Sequence, residues 1–315
     1  MCRILSILFL LSFNNPIFSQ VDIQNTDDAK NFLHHYLSPL GESLGFTLNN
    51  GWYNTARPHR FAGFDATITL NMLNVPDVKK SFNPNMIENF SSPNLATPTI
   101  MGKGDGGLIE YNGEQFQMPD QESTISFLAL PTFNVGIGIF KKTEINARYL
   151  PTYKYGEGFI GKGKVNMWGV GFKHDILQWI PIIGDAIPLS LSVQGGYTQL
   201  NSQILILSQA AELNVQAMNA NLILSRNFLM LTGYASIGYN SATTTFITGE
   251  NLPNIEHFNI GEVNFDIPIE MVFEAKNELR SNIGVKLTLA VVAIHANYTF
   301  SEYPVATIGV GVSLR

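Results

Sequence analysis

Near the C-terminus, apolar and polar residues alternate along three successive stretches. Ile283, Val285, Leu287 and Leu289 are interleaved with Asn282, Gly284, Lys286 and Thr288. Val292, Ile294, Ala296, Tyr298 and Phe300 form a second such series, and Ile308, Val310, Val312 and Leu314 a third. A period of two predicts strands whose two faces meet different surroundings. About ten tilted residues per strand cover the roughly 25 Å apolar band of an outer membrane. The first strand of this kind is predicted over 61–73, with Phe64, Ala66, Ile68, Leu70 and Met72 on one face and Asp65, Thr67, Thr69 and Asn71 on the other. Further strands are predicted over 123–131, 132–141, 143–153, 164–174, 188–199, 211–225, 228–240 and 265–276. Turns are expected at 141–143, 156–163 and 226–227. Within 211–225 the alternation slips near Met218 and Asn219, which predicts a bulge. With strands allowed inside 77–119 and 241–262, the pattern predicts an all-β fold, a transmembrane antiparallel barrel of 12–14 strands, with fourteen preferred.

Ahead of the strands the period changes. Ala29, Phe32, Leu33, Tyr36, Leu37 and Leu40 recur at helical spacing. Thr26 is placed as the N-cap, Asp27 and Asp28 sit where the helix dipole favours acids, and Pro39 is expected to kink or end the helix. A short helix with one apolar stripe needs a partner surface. It either plugs the barrel lumen or docks beneath the barrel, and the lumen is the preferred place. Residues 1–19 have the form of a secretion signal, with Arg3, an apolar run over 4–13 and a cleavage site at Ser19-Gln20. Its removal takes away the single cysteine, Cys2. The expected organisation is therefore a signal peptide at 1–19, a helical plug segment at 20–58, and a barrel at 59–315 that carries a long loop at 74–120.

Composition supports the membrane reading. Hydrophobic residues make up 45% of the 315-residue chain and charged residues 14%, against about 25% charged in ordinary soluble domains. No run of eighteen apolar residues follows residue 20, so strands rather than helices must do the crossing. A soluble β-sandwich is the structural alternative, but its outer faces would need more charge. The net charge of −6 comes without a dense Lys/Arg cluster, which argues against nucleic acid as a partner. Trp52, Tyr53, Tyr149, Tyr153, Tyr155, Trp168, Trp179, Tyr298 and Tyr303 gather near predicted strand ends, as in an interfacial girdle.

Motifs that could carry catalysis lack their context. Gly41, Ser43 and Gly45 match a nucleophile elbow, but a helix precedes the serine where a strand is required. Gly156, Gly158 and Gly161 have dinucleotide-loop spacing, but a strand follows instead of a helix. The six histidines show no metal-ligand spacing, and Ser236 or Ser313 could serve a lipase only if the fold brought one to His295. No catalytic set, metal or cofactor is expected. The presumed lumen face offers Asp65, Arg148, Lys173, Glu270, Glu274, Lys286 and His295 as contacts to the plug or to cargo. Arg148 and Glu274 are assigned ion pairs with the N-terminal segment.

The runs 61–67, 133–155 and 168–181 (the last reading WGVGFKHDILQWIP) resemble an uncharacterised outer-membrane family of Bacteroidota over essentially the whole mature chain. The plan of an N-terminal hatch followed by a barrel is also similar to FadL-type channels for hydrophobic compounds, although no substrate residue of those channels carries over. The chain ends in Ser313-Leu314-Arg315 rather than in the aromatic residue usual for such barrels. The resemblance implies export to the outer membrane of a Gram-negative cell, with membrane lipid and the barrel-assembly machinery as partners. It further implies passive uptake of a hydrophobic or amphipathic small molecule. A non-transporting barrel serving a surface or secretion machine is the alternative.

Overall fold

The computed structural model describes residues 21–23, 25–120, 127–155, 162–180, 188–206, 209–248, 258–260, 263–265 and 269–314. The expected signal peptide and the glycine-rich turn at 156–161 lie outside these residues. Ten strands close into one barrel: β1 (Phe64–Asn74), β2 (Phe127–Ile139), β3 (Thr143–Tyr155), β4 (Lys162–Asp175), β5 (Ser190–Ile206), β6 (Gln209–Phe228), β7 (Leu231–Thr248), β8 (Ile269–Leu289), β9 (Val292–Phe300) and β10 (Val305–Leu314). Each strand pairs antiparallel with the next, and β10 closes on β1 from Val305↔Leu73 to Leu314↔Phe64. Among the described residues one long helix, α1 (Thr26–Leu48), precedes β1. No described helix is long and apolar enough to cross a membrane.

The expected count of 12–14 strands is corrected to ten because two pairs of predicted strands are continuous. The described parts of 123–131 and 132–141 form one strand, Phe127–Ile139, that runs through Pro131. The ladder from β2 to β3 ends at Phe133↔Tyr149, so β2 is an edge above that level and tolerates a proline. Likewise residues 269–276 of the predicted 265–276 and the predicted 282–289 are one strand, β8, with a register shift opposite Asn240 and Ala242 of β7. The segment 77–119 contributes only two small sheets outside the barrel: Ser81–Phe82 with Thr97–Pro98, and Phe90–Ser91 with the hairpin Leu108–Tyr111/Glu114–Gln117. These pack on α1, where Phe32 stacks on Phe90 at 5.0 Å and meets Phe82 and Phe116 edge-on.

The bulge expected in 211–225 is absent, since β6 keeps an unbroken register with both neighbours. The slip in its pattern marks a change of surroundings. In the lower half of the barrel the outer face is apolar (Met218, Leu222 and Leu224 on β6; Ile237 and Tyr239 on β7; Ile283 and Val285 on β8) and the inner face is polar (Asn219, Asn221, Thr232, Ser236, Asn282). In the upper half the two faces exchange character. Leu213, Val215, Ala217, Phe246, Met271 and Phe273 are buried inside as part of one core with Leu33, Leu37, Leu40 and Leu44 of α1. Outside, Gln199, Gln203, Glu212, Asn214 and Gln216 take their place, and Gln203 donates to Glu212 at 2.6 Å. Tyr149, Trp168 and Tyr197 line the boundary: Trp168 pairs with Tyr149 and its ring lies 5.6 Å from that of Tyr197.

The two ends differ as well. Short turns at 140–142, 229–230 and 290–291 close the lower end, where Leu229 and Ala290 adopt positive φ, as primed hairpin turns require. Phe61 stacks on Phe140 at 4.7 Å there, and both are exposed. The upper end carries the long stretch 75–120 and the tall strands β4–β8.

Candidate functional site

The N-terminal segment runs through the barrel from end to end. Val21–Asp22 pairs with Val263–Phe265 at the upper end. Asn25, one residue before the expected Thr26, caps α1 by accepting from the backbone N–H groups of Asp27 and Asp28. The helix continues through Pro39 to Leu48 inside the upper walls. There a side chain at Gly45 would meet Ala242 Cβ at 2.5 Å, so only glycine allows this approach. Ser43 is buried in the helix and donates to Pro39 O, which removes the elbow geometry. Residues 49–63 then descend the lumen to the lower rim, where Gly138 N–H donates to Gly63 O and Gly138 O accepts from Ala62 N–H, beside Leu314.

The descending segment is held by polar groups of the wall. Arg148 Nη1 donates to Leu48 O at 2.7 Å and Nη2 to Asn50 O at 2.9 Å. A buried guanidinium thus satisfies carbonyls at the helix C-terminus, where the dipole favours a cation. The same guanidinium lies 3.7 Å from the Trp52 ring centroid. Gly196 makes room for that ring, because a Cβ there would lie 2.6 Å from it. Arg280 donates to Asn50 Oδ1 and Asn221 Oδ1, and Lys286 donates to Asn54 Oδ1 at 2.9 Å. Tyr53 is hydrogen-bonded to Ser236, and Ser192 donates to Ala56 O. Below them, Glu144 accepts from His59 N at 2.9 Å and from Lys173 Nζ at 2.9 Å, both carboxylate and ammonium being buried. A void of about 20 Å³ lies in the lower lumen beside Asp65, Glu144, Asn146 and His295.

Among the residues predicted to face the lumen, Asp65, Arg148, Lys173, Lys286 and His295 lie on the inner face. Glu270 and Glu274 do not: both are exposed on the outer face of β8. The correction has one cause. In the upper half, water lies outside the wall and the core inside, so a polar residue there points outward. Arg148 reaches the N-terminal segment through carbonyls rather than through the expected ion pair, and Glu274 cannot reach the lumen. Ser236 is engaged by Tyr53 and so does not partner His295. Trp52, Tyr53 and Tyr303, assigned to a girdle, lie inside instead. The irregular stretch 49–58 gave no period from which Asn50, Trp52 and Asn54 could have been singled out.

A second feature sits at the upper end. A cleft of about 400 Å³ is lined by Phe46, Val272, Phe273 and Ala275, with His34, Glu42, Lys79, Glu274 and Glu302 around it. Lys79 bridges Glu42 at 2.9 Å and Glu302 at 3.0 Å. Burial works against its charge, but the two carboxylates hold its pKa above the usual lysine value. Tyr303 donates to Glu42, and burial together with that carboxylate pushes its hydroxyl pKa up. These contacts tie α1 to the β9–β10 connection.

No curated protein matches the chain. Among solved structures, it is similar to Ail of Yersinia pestis (9% identity, TM-score 0.26, covering 81% of this chain and 98% of that one). It is also similar to the translocator domain of the autotransporter NalP from Neisseria meningitidis (10%, 0.36, 81% and 88%) and to the toluene transporter TodX of Pseudomonas putida (9%, 0.26, 80% and 67%). None of these likenesses bears on what the chain does. A family model matches residues 1–314, and the chain belongs to that family, the family of unknown function DUF6588.

Proposed function

We propose that this protein is an outer-membrane channel closed by its own N-terminal segment, and that it passes a hydrophobic or amphipathic small molecule inward. One observation carries the reading: the lower lumen has a polar wall, and the segment filling it is held there by hydrogen bonds to Arg148, Arg280 and Lys286. Bonds from charged donors exchange with water at a net cost of about 1.5–3 kcal/mol each, and the polar wall lets the stopper leave without exposing an apolar core at that level. The outer cleft, with its apolar floor and charged rim, has the size of a small-molecule site. Long loops face outward and short turns inward in barrels of this kind, which gives the cleft the position of an entry site.

Planar-bilayer recording tests the proposal. Wild type is expected to stay closed for most of the time, and R148A/R280A to open frequently. Native mass spectrometry of gently purified wild type should show retained lipid-like molecules. A folded, heat-modifiable R148A/R280A that never conducts would overturn the channel, and free passage of sugars through wild type would replace it with a general pore.

A specific observation favours a second reading, a barrel that anchors a surface partner. Val78, Met86 and Leu95, all in the loop connection seated on α1, are largely exposed. Photo-cross-linking from position 86 in cells should capture one reproducible protein if this reading holds, and none if it does not.

A further inference from the structure

We infer that the lower lumen contains a site for a divalent transition-metal ion, which fastens the N-terminal segment to the barrel wall. Three ligand types converge there from separate elements: His59 of the descending segment, Asp65 at the start of β1 and Glu144 at the start of β3. One donor atom from each lies within 4.8 Å of the others. His59 Nε2 is 3.4 Å from Asp65 Oδ2 and 4.0 Å from Glu144 Oε2. The first distance is long for a charged hydrogen bond. It is the separation of two ligand atoms that each sit about 2.1 Å from a tetrahedral ion.

The hydrogen bonding around the cluster leaves capacity where an ion would use it. Glu144 Oε1 is occupied by Lys173 Nζ and Asn146 Nδ2, at 2.9 and 2.8 Å. Oε2, on the His59 side, accepts the His59 backbone N–H and keeps a lone pair free. Lys173 and Asn146 thus orient the carboxylate from behind, as outer groups do around metal ligands. The adjoining void has room for one water-sized ligand. Facing it, Asn146 is 9% exposed and its Oδ1 has no partner; the Oδ1 of Asn134 has none either. A metal-bound water, which donates two hydrogen bonds, matches these two orphan acceptors. Gly136 keeps the space clear, since a Cβ there would lie 2.6 Å from Asp65 Oδ1 and 3.0 Å from Glu144 Oε1.

One imidazole and two carboxylates suit Zn²⁺ or Mn²⁺ and are a poor set for copper(I). The Lys173 charge weakens the site relative to one without it. The spacing of 59, 65 and 144 along the chain has no metal signature, so only the closed barrel brings the ligands together. The inference is independent of transport, since an ion at this position would equally pin a permanent plug.

The test uses untagged, full-length barrel in detergent, stripped with EDTA and titrated with ZnCl₂ by calorimetry, with metal content measured after dialysis. Wild type should hold one Zn²⁺ per chain. H59Q and D65N should each weaken binding at least tenfold, while H174A, outside the lumen, leaves it unchanged. Heat-modifiable migration on gels reports whether each variant is folded. Should H59Q fail to fold, H59C loaded with Co²⁺ serves in its place and should show a thiolate-to-cobalt absorption band. Wild type binding no more Zn²⁺ than folded H59Q, or H59C showing no band, would overturn the site.

Discussion

The lower and upper halves of this barrel are built from the same strands and solve opposite problems. Below the level of Tyr197 and Tyr239, apolar side chains face out and the inside is threaded by a polar segment. Above it, apolar side chains face in around α1, and Gln199, Glu212 and Thr243 face out. Backbone pairing is continuous across the boundary in β5, β6 and the lower part of β7. In these strands the side chains record the change of solvent, whereas the β3/β4 and β7/β8 ladders also shift register near it. A strand therefore states its surroundings through the phase of its alternation, and the boundary is where that phase moves by one residue.

Paired substitutions sharpen the comparison, and the largest effect is expected inside the upper half. Phe273 is fully buried against α1, and Phe273→Ala should cost about 3–5 kcal/mol as a core cavity. Thr232→Ala, on the inner face of the lower half, should cost about 1 kcal/mol, the loss of one hydrogen bond with Asn227. Reversible urea unfolding in lipid vesicles measures both. On the outer face the order reverses. Val285→Lys, near the middle of the apolar band, should cost about 2–4 kcal/mol, whereas Thr243→Lys above the boundary should stay within about 0.5 kcal/mol. Equal costs at 243 and 285 would remove the boundary.

A smaller effect is expected at the helix seat. Gly45→Val drives a side chain into Ala242 and should destabilise α1 by about 1–3 kcal/mol, seen as faster hydrogen exchange in α1 with β6–β9 unaffected. The smallest concerns pH. Burial, reinforced by His35, lowers the His34 pKa below its ordinary 6.5. Neutral His34 thus contributes stability that is present above pH 6.5 and lost as pH falls through the lowered folded value. Protection of α1 should weaken slightly on acidification, and His34→Gln should abolish that dependence. A pH response unchanged in the variant would assign it elsewhere.

The sequence made the barrel legible wherever one solvent acted on a whole strand. β1, β9 and β10 are short, and their alternation places Phe64 to Leu73 and Val292 to Leu314 as found. It misled where two solvents share a strand. The slip at Met218 and Asn219 imitates a bulge, and Glu270 and Glu274 imitate lumen residues. Two true irregularities lie elsewhere: one in β3 between Leu150 and Tyr153, and one in β8 opposite Asn240, where one strand had been divided into two. One turn was misplaced for a different reason: the expected 226–227 lies within β6, and the chain turns at 229–230, where Leu229 takes positive φ without being glycine or asparagine. The helical stripe of α1 was legible from Phe32 to Leu40. Its continuation through Pro39 was not, because the surrounding walls supply what the local sequence lacks. The grip on residues 49–59 is set by Arg148, Arg280 and Glu144 from distant strands, and no local pattern encodes it.

Site-directed spin labelling along the outer face of β7 tests the two-solvent account most directly. Single cysteines at Ala235, Ile237, Thr243 and Thr245 can be introduced without a native thiol beyond Cys2, and each label compared in vesicles for collision with oxygen and with a water-soluble nickel complex. Labels at 235 and 237 should favour oxygen, and those at 243 and 245 should favour nickel. The same preference at all four positions would contradict the account.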